Sequence, residues 1–192
     1  MPRLLLVKTS SLGDVVHNLP VLADIRAHYP DMRFDWVVEE SFAEIPALHP
    51  AVSAVIPVAL RRWRKSPFAS ATWREIAAFR QRLQQQRYDL VLDTQGLLKS
   101  ALAARLSGAR IRVGLAPGST REPLAGWLYT RRAGPAASPH VVDAGLAAAD
   151  EAARLAAEQR EMEQQVADSA ALAAQAASML TELTRDAPPP RR

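Results

Sequence analysis

The sequence predicts an α/β protein built on a doubly wound, mostly parallel sheet. Short, continuous apolar runs alternate with helical patterns from residue 3 to about 132, and that order packs helices on both faces of one sheet. The runs are apolar throughout rather than alternating, as strands covered on both faces are. Several of them empty into small polar turns, which is where ligands bind in such sheets.

Arg3–Val7 is strand one, and Arg33–Val38 is strand two. Between them a helix starts near Asn18, with Pro20 in its first turn, Leu19, Leu22 and Ile25 on its apolar side, and Pro30 beyond its end. Ser41 and Glu44 have capping-box spacing for a short helix to about Leu48. Ala54–Pro57 is a short third strand. A basic loop around Trp63 follows, and then a helix from about Ser70 to Arg87 with Trp73, Ile76, Phe79 and Leu83 on one side. Tyr88–Asp93 is a strand, Thr94-Gln95-Gly96 a turn, Leu97–Leu106 a helix and Ile111–Leu115 a further strand. Ser119 or Thr120 can cap a helix from Arg121 to about Tyr129.

These elements form a Rossmann-like domain over residues 1–142. Residues 143–192 differ: 16 of them are Ala, none is aromatic, and large apolar positions are sparse. The expectation there is an Ala-rich helical tail over 143–187, thinly apolar and weakly docked, and a disordered end at 188–192. The tail holds no second strand–helix series.

The formal charge of +4 is unevenly spread: residues 1–142 carry a net +8 and residues 143–192 a net −4. The first part is therefore the part that meets an anion. Cysteine is absent, which excludes disulfides and thiolate metal sites, and four scattered His make a metal centre improbable. No apolar run approaches the roughly 20 residues of a membrane span. The short apolar start, interrupted by Lys8 and Asp14, does not fit a signal peptide, so the expected setting is cytoplasmic.

The first turn, Lys8-Thr9-Ser10-Ser11-Leu12-Gly13-Asp14, offers backbone N–H groups, two adjacent Ser hydroxyls, an ammonium and a carboxylate. That mixture suits an oxygen-rich sugar or phosphate. Asp14 is either a general base or a first-turn acid that stabilises the helix. Lys8, Ser10, Ser11 and Gly13 can cradle an anion, although the turn is neither G-x-G-x-x-G nor a P-loop. Arg61, Arg62, Arg64 and Lys65 around Trp63 read as an anion-binding loop or as a solvated one. One short basic loop is not the extended face that nucleic acid needs. Asp93, Gln95 and Lys99 flank the turn after the fourth strand and either line the same crevice or cap a helix. His17 reads as a hydrogen-bonding residue that holds the first loop. Arg121 opposes the helix dipole, which hints at an anion nearby, with Glu122 an alternative partner.

Five stretches together resemble the bacterial lipopolysaccharide heptosyltransferases, most closely their type I branch. They are Val7-Lys8-Thr9-Ser10-Ser11-Leu12-Gly13-Asp14-Val15-Val16-His17, Phe34-Asp35-Trp36-Val37-Val38-Glu39-Glu40, Ile56-Pro57-Val58 with Arg61-Arg62-Trp63-Arg64-Lys65, Asp93-Thr94-Gln95-Gly96-Leu97 with Lys99-Ser100, and Thr120-Arg121-Glu122-Pro123-Leu124. The resemblance covers about residues 1–142. It implies the N-terminal half of a GT-B glycosyltransferase, whose two Rossmann-like domains face each other across a cleft. The implied reaction is inverting, metal-free transfer of heptose from ADP-heptose to Kdo on lipid A, at the cytoplasmic face of the inner membrane. It implies that Asp14 is the general base, and that Arg61, Arg62, Arg64, Lys65 and Arg121 meet the acceptor's carboxylates and phosphates. The resemblance ends after Val142, so no donor-binding residues map onto this chain. The expectation is acceptor binding without turnover by these residues alone, ADP-heptose being held only with a second domain. The rival expectation is a non-catalytic module that binds anions or Kdo-lipid A.

Overall fold

The computed structural model describes residues 2–115, 122–133, 154, 157–158, 161–171 and 174–175. Six parallel strands form one sheet in the order β3-β2-β1-β4-β5-β6. They are β1 (Arg3–Val7), β2 (Arg33–Glu39), β3 (Val52–Val58), β4 (Leu90–Asp93), β5 (Ile111–Leu115) and β6 (Arg131–Ala133). The doubly wound expectation therefore holds, and the sheet is wholly parallel.

The helices are α1 (Leu12–His17), α2 (Leu19–His28), α3 (Glu44–Ala47), α4 (Leu60–Lys65), α5 (Ser70–Gln85) and α6 (Leu98–Leu106). Strand β1 is buried on both faces, and its side chains alternate between two cores. Leu4 and Leu6 join Val15, Leu22 and Ile25 from α1 and α2, with Phe34 and Trp36 from β2. Leu5 and Val7 join Phe79 and Leu83 from α5, with Ala103 and Ala104 from α6. Helices thus cover both faces, as continuous apolar strands require.

Several boundaries depart from the sequence reading. The first helix begins at Leu12, seven residues before α2, because Ser11 and Asp14 form a capping box around it. The chain then bends at Asn18 between α1 and α2. Glu44 opens α3 itself, and no side-chain cap from Ser41 holds it. The basic segment expected as a loop is the helix α4, because Leu60 and Trp63 both pack inward on the second core. The segment after Glu122 is a 3₁₀ helix, Pro123–Leu128, rather than an α-helix, and β6 follows it unforeseen. Arg121 and the Ala116-Pro117-Gly118 turn lie outside the described residues.

The chain divides into two compact units, Met1–Ala156 and Ala157–Arg192. In the second, residues 161–171 are helical, with Met162 and Val166 exposed. The rest of the expected tail helix, and the end at 188–192, lie outside the described residues.

Asp93 ends β4 and is fully buried. The Tyr129 hydroxyl donates to its Oδ2 at 2.7 Å, and the Gln95 and Gly96 amides donate to Oδ1 at 2.8 and 3.3 Å. Burial pushes the Asp93 carboxyl above its ordinary value, and these bonds oppose the rise. Tyr129 lies flat on β5 at Gly114, where a Cβ would overlap its ring carbons.

A carboxyl raised in the fold contributes stability that is present at low pH. That contribution is lost as pH rises from the unfolded value through the folded one. Removing the Tyr129 donor raises the carboxyl further. Tyr129→Phe is therefore expected to lower unfolding free energy by about 1–3 kcal/mol. The loss should be larger at about pH 7 than at about pH 4 in urea titrations.

Candidate active site at the switch point of the sheet

Strand order reverses between β1 and β4, and the chain leaves these neighbours toward opposite faces. A crevice opens where that happens. Gln95 spans it. Its Oε1 accepts from the Thr9 amide and the Thr9 hydroxyl, both at 2.7 Å. Its Nε2 donates to the Ser10 carbonyl at 3.1 Å and to Ser10 Oγ at 3.2 Å. Gly96, at φ 68°, supplies the left-handed residue that lets the chain turn back into α6.

Lys8 is only 3% exposed, and its ammonium donates to the Thr94 carbonyl at 3.1 Å. It braces the two strand ends from beneath and is not among the groups lining the cleft. Two neighbours complete the brace: Trp36 Nε1 donates to the Lys8 carbonyl at 3.1 Å, and Asn18 Nδ2 donates to the Thr94 hydroxyl. Asn18 thus does the loop-holding expected of His17. His17 is exposed in the last turn of α1 and is not among the residues lining the cleft.

A cleft of about 580 Å³ opens beside this junction. Ser10, Arg61, Arg64 and Lys99 line it, from the end of β1, from α4 and from α6. Lys99 Nζ donates to Ser10 Oγ at 3.1 Å, which joins α6 to the first turn. The Arg61 guanidinium lies 5.2 Å over the Phe42 ring, while its backbone amide donates to Glu39 Oε1 at 3.1 Å. Glu39, 3% exposed at the end of β2, also lines the cleft. Sequence reading did not single it out as a site residue, although its strand-end position is the same signal that marked Ser10.

Arg62 and Lys65 do not line this cleft. Arg62 is held between Glu75, at 2.7 Å, and Glu40, at 3.1 Å. These partners raise the Arg62 guanidinium further, Glu40 contributing most, and Arg62 in turn lowers the Glu75 carboxyl. Trp63 Nε1 also donates to Glu75, at 2.7 Å, and the Trp63 ring meets Phe79 edge-on. Arg62 therefore fastens α4 to α5 and leaves Arg61 and Arg64 facing the cleft. Among the described residues, no three His, Asp or Glu side chains converge as a metal centre requires.

Asp14 and Ser11 sit beside Ser10 at the start of α1, with Gly13 exposed between them. Asp14 Oδ2 accepts from the Ser11 amide at 2.9 Å and from Ser11 Oγ at 3.2 Å. Asp14 is thus a capping residue in this fold, whatever further part it plays. Asp14→Ala is expected to cost about 0.5–2 kcal/mol of stability, as helix caps do. Asp14→Asn, which keeps an oxygen for the Ser11 amide, should cost less in the same denaturant titration.

The match to Glycosyltransferase family 9 (heptosyltransferase) covers residues 76–187. It reaches beyond Val142, where the sequence reading ends the resemblance. Lipopolysaccharide heptosyltransferase 1 of Pseudomonas aeruginosa is 56% identical over 142 residues, covering 73% of this chain and 40% of the relative. That of Escherichia coli is 48% identical over 141 residues, covering 73% of this chain and 44% of the relative. Escherichia coli heptosyltransferase WaaC, solved with ADP-2-deoxy-2-fluoro heptose, superposes with a TM-score of 0.73 at 47% identity. That match covers 78% of this chain and 48% of the solved one. Escherichia coli ADP-heptose lps heptosyltransferase II, at 20% identity and a TM-score of 0.56, shares the fold. The chain spans about two-fifths of the length of the curated relatives it matches. With a wholly parallel sheet, a largely apolar cleft beside its switch point that Arg61, Arg64 and Lys99 also line, and these matches, the chain belongs to glycosyltransferase family 9, the heptosyltransferases.

Proposed function

We propose that these residues supply the acceptor side of an inverting heptosyl transfer from ADP-heptose to a Kdo sugar on lipid A, as the N-terminal half of a GT-B enzyme. The observation that carries this reading is the meeting of Ser10, Arg61, Arg64 and Lys99 in one cleft, with Asp14 close by on the first turn of α1. Kdo carries a carboxylate and lipid A carries phosphates. Guanidinium groups grip both in a two-pronged geometry, and an ammonium adds a point charge. The names of the relatives, and the ADP and ADP-heptose analogue in the solved Escherichia coli structures, support the same reaction class.

In this reading the acceptor hydroxyl oxygen attacks the anomeric carbon of the heptose. The bond from that carbon to the diphosphate oxygen breaks, and ADP leaves with the electron pair. The hydroxyl proton passes to the Asp14 carboxylate. Attack from the side opposite the leaving group inverts the centre. The framework of buried Lys8 and Asn18 with half-buried Gln95 fixes the turn that carries Ser10 and Asp14, and that positioning is a large part of what such a site supplies. The reading assigns no donor-binding residue to these 192 residues, so the purified chain is expected to bind acceptor without consuming ADP-heptose.

Arg61→Ala and Arg64→Ala are each expected to weaken binding of Kdo-lipid A to the chain by about 10- to 100-fold, the range of a lost charge-assisted bond. Arg62→Ala should change it much less, because Glu40 and Glu75 already hold that side chain. Isothermal titration or a fluorescence assay checks the order. Asp14 is tested in a fusion of residues 1–142 to the remaining portion of the Escherichia coli relative. Asp14→Asn should lower kcat there by about 10²- to 10⁴-fold with acceptor binding retained. Unchanged kcat would leave the cleft as a binding site and remove Asp14 from the chemistry.

A further inference from the structure

Among the described residues that line the cleft, Glu39 is the one acid. The charged groups that share the cleft with it, on Arg61, Arg64 and Lys99, only donate hydrogen bonds. Two contacts with distant segments fix Glu39 in place. Its backbone amide donates to the Thr9 carbonyl at 3.0 Å, which sets the end of β2 beside the turn that carries Ser10. Its Oε1 accepts from the Arg61 amide at 3.1 Å, in the first turn of α4, where Ala59 offers no side-chain cap.

These bonds use half of the carboxylate. Oε2 has no hydrogen-bond partner among the described residues, and no cation there pairs with the group. Arg61, whose amide it holds, lays its guanidinium over the Phe42 ring. Yet Glu39 is almost wholly buried. A buried carboxylate short of donors is costly, and native folds leave few of them. Because Glu39 lines the cleft, the missing donor can come from a molecule bound there.

The charges say what that molecule carries. A ligand with anionic groups alone suits Arg61, Arg64 and Lys99 but sets like charge against Glu39. A neutral polyol has donors for Glu39 and nothing for the cations. A sugar acid satisfies both, with its carboxylate on the cations and a hydroxyl on Oε2. We propose that Glu39 determines specificity, its Oε2 accepting a hydrogen bond from one hydroxyl of the acceptor sugar. The inference rests on the acceptor reading and deepens it: the cations select negative charge, and Glu39 selects a hydroxyl set beside that charge. The bland alternative is that Glu39 serves only as a remote cap for α4.

Glu39→Gln separates the two. The variant keeps the size of the side chain and an oxygen for the Arg61 amide, but it replaces Oε2 with an NH₂ group that cannot accept. The 192-residue chain is titrated by NMR with two probes. Free Kdo carries a carboxylate and hydroxyls, while sulfate carries charge and no hydroxyl. Glu39→Gln is expected to weaken Kdo binding by about tenfold or more, and to leave sulfate binding unchanged or tighter. Kdo analogues that each lack one hydroxyl then identify the partner. One of them should bind the native chain about as weakly as Kdo binds the variant, with no further loss when the two changes are combined. Unchanged Kdo binding by Glu39→Gln would remove this inference and leave the acceptor reading standing. Equal losses for Kdo and sulfate would make Glu39 a cap alone and overturn the proposal, as would additive losses for every analogue. Absence of Kdo binding by the native chain would remove the acceptor reading, and this inference with it.

Discussion

The side-chain amide of Gln95 closes a gap that the topology creates. Where β1 and β4 leave the sheet on opposite faces, the ladder between them ends: the Thr9 carbonyl still accepts from the Glu39 amide of β2, but the Thr9 amide and the Ser10 carbonyl are left to Gln95. Buried backbone groups left without a partner are costly. One primary amide offers both an acceptor and donors, and Gln95 uses both sides of it on the neighbouring turn. The Lys8 ammonium closes the same gap in the other direction, onto Thr94. The position of Ser10 follows from these bonds, and with it the start of α1, the Asp14 cap and the reach of Lys99.

The second constraint is how α4 divides its charge. A helix of six residues places Arg61, Arg64 and Lys65 on neighbouring positions of one side and Arg62 on another. Glu40 and Glu75 neutralise Arg62 and tie the helix down. Arg61 and Arg64 are left to the cleft, while Lys65 is exposed at the helix end. A cluster that is uniform in sequence thus becomes two groups with different work, one fastening the helix and one presenting charge. Trp63 belongs to the first group, since its ring packs on Phe79 and its N–H meets Glu75.

The sheet was largely legible because strands covered on both faces are written as unbroken apolar runs, and Leu4-Leu5-Leu6-Val7 or Leu90-Val91-Leu92 can be little else. Strand β6 was not, because Arg131-Arg132-Ala133 lies at an edge and carries no apolar signal. The start of α1 escaped because Asp replaces the usual Glu in its capping box and because Leu12 and Val16 face solvent, which breaks the expected apolar stripe. At the site, strand-end position was enough to find Ser10, and the cations Arg61, Arg64 and Lys99 stood out by charge. What could not be read was pairing across the fold. The partners of Arg62 lie on two other elements, and no local pattern says that Glu75 and Glu40 arrive beside it. The buried Glu39, Thr9 and Asn18 were not read as site residues for the same reason: each matters through a contact with a distant segment.

The central claim is that the first turn and α4 form one acceptor site. Titration of the isotopically labelled 192-residue chain with free Kdo, followed by NMR, tests it most directly. The account predicts that the signals of Ser10, Ser11, Arg61, Arg64 and Lys99 shift together with a single binding constant. Saturable shifts confined to other residues, with these five unmoved, would contradict it.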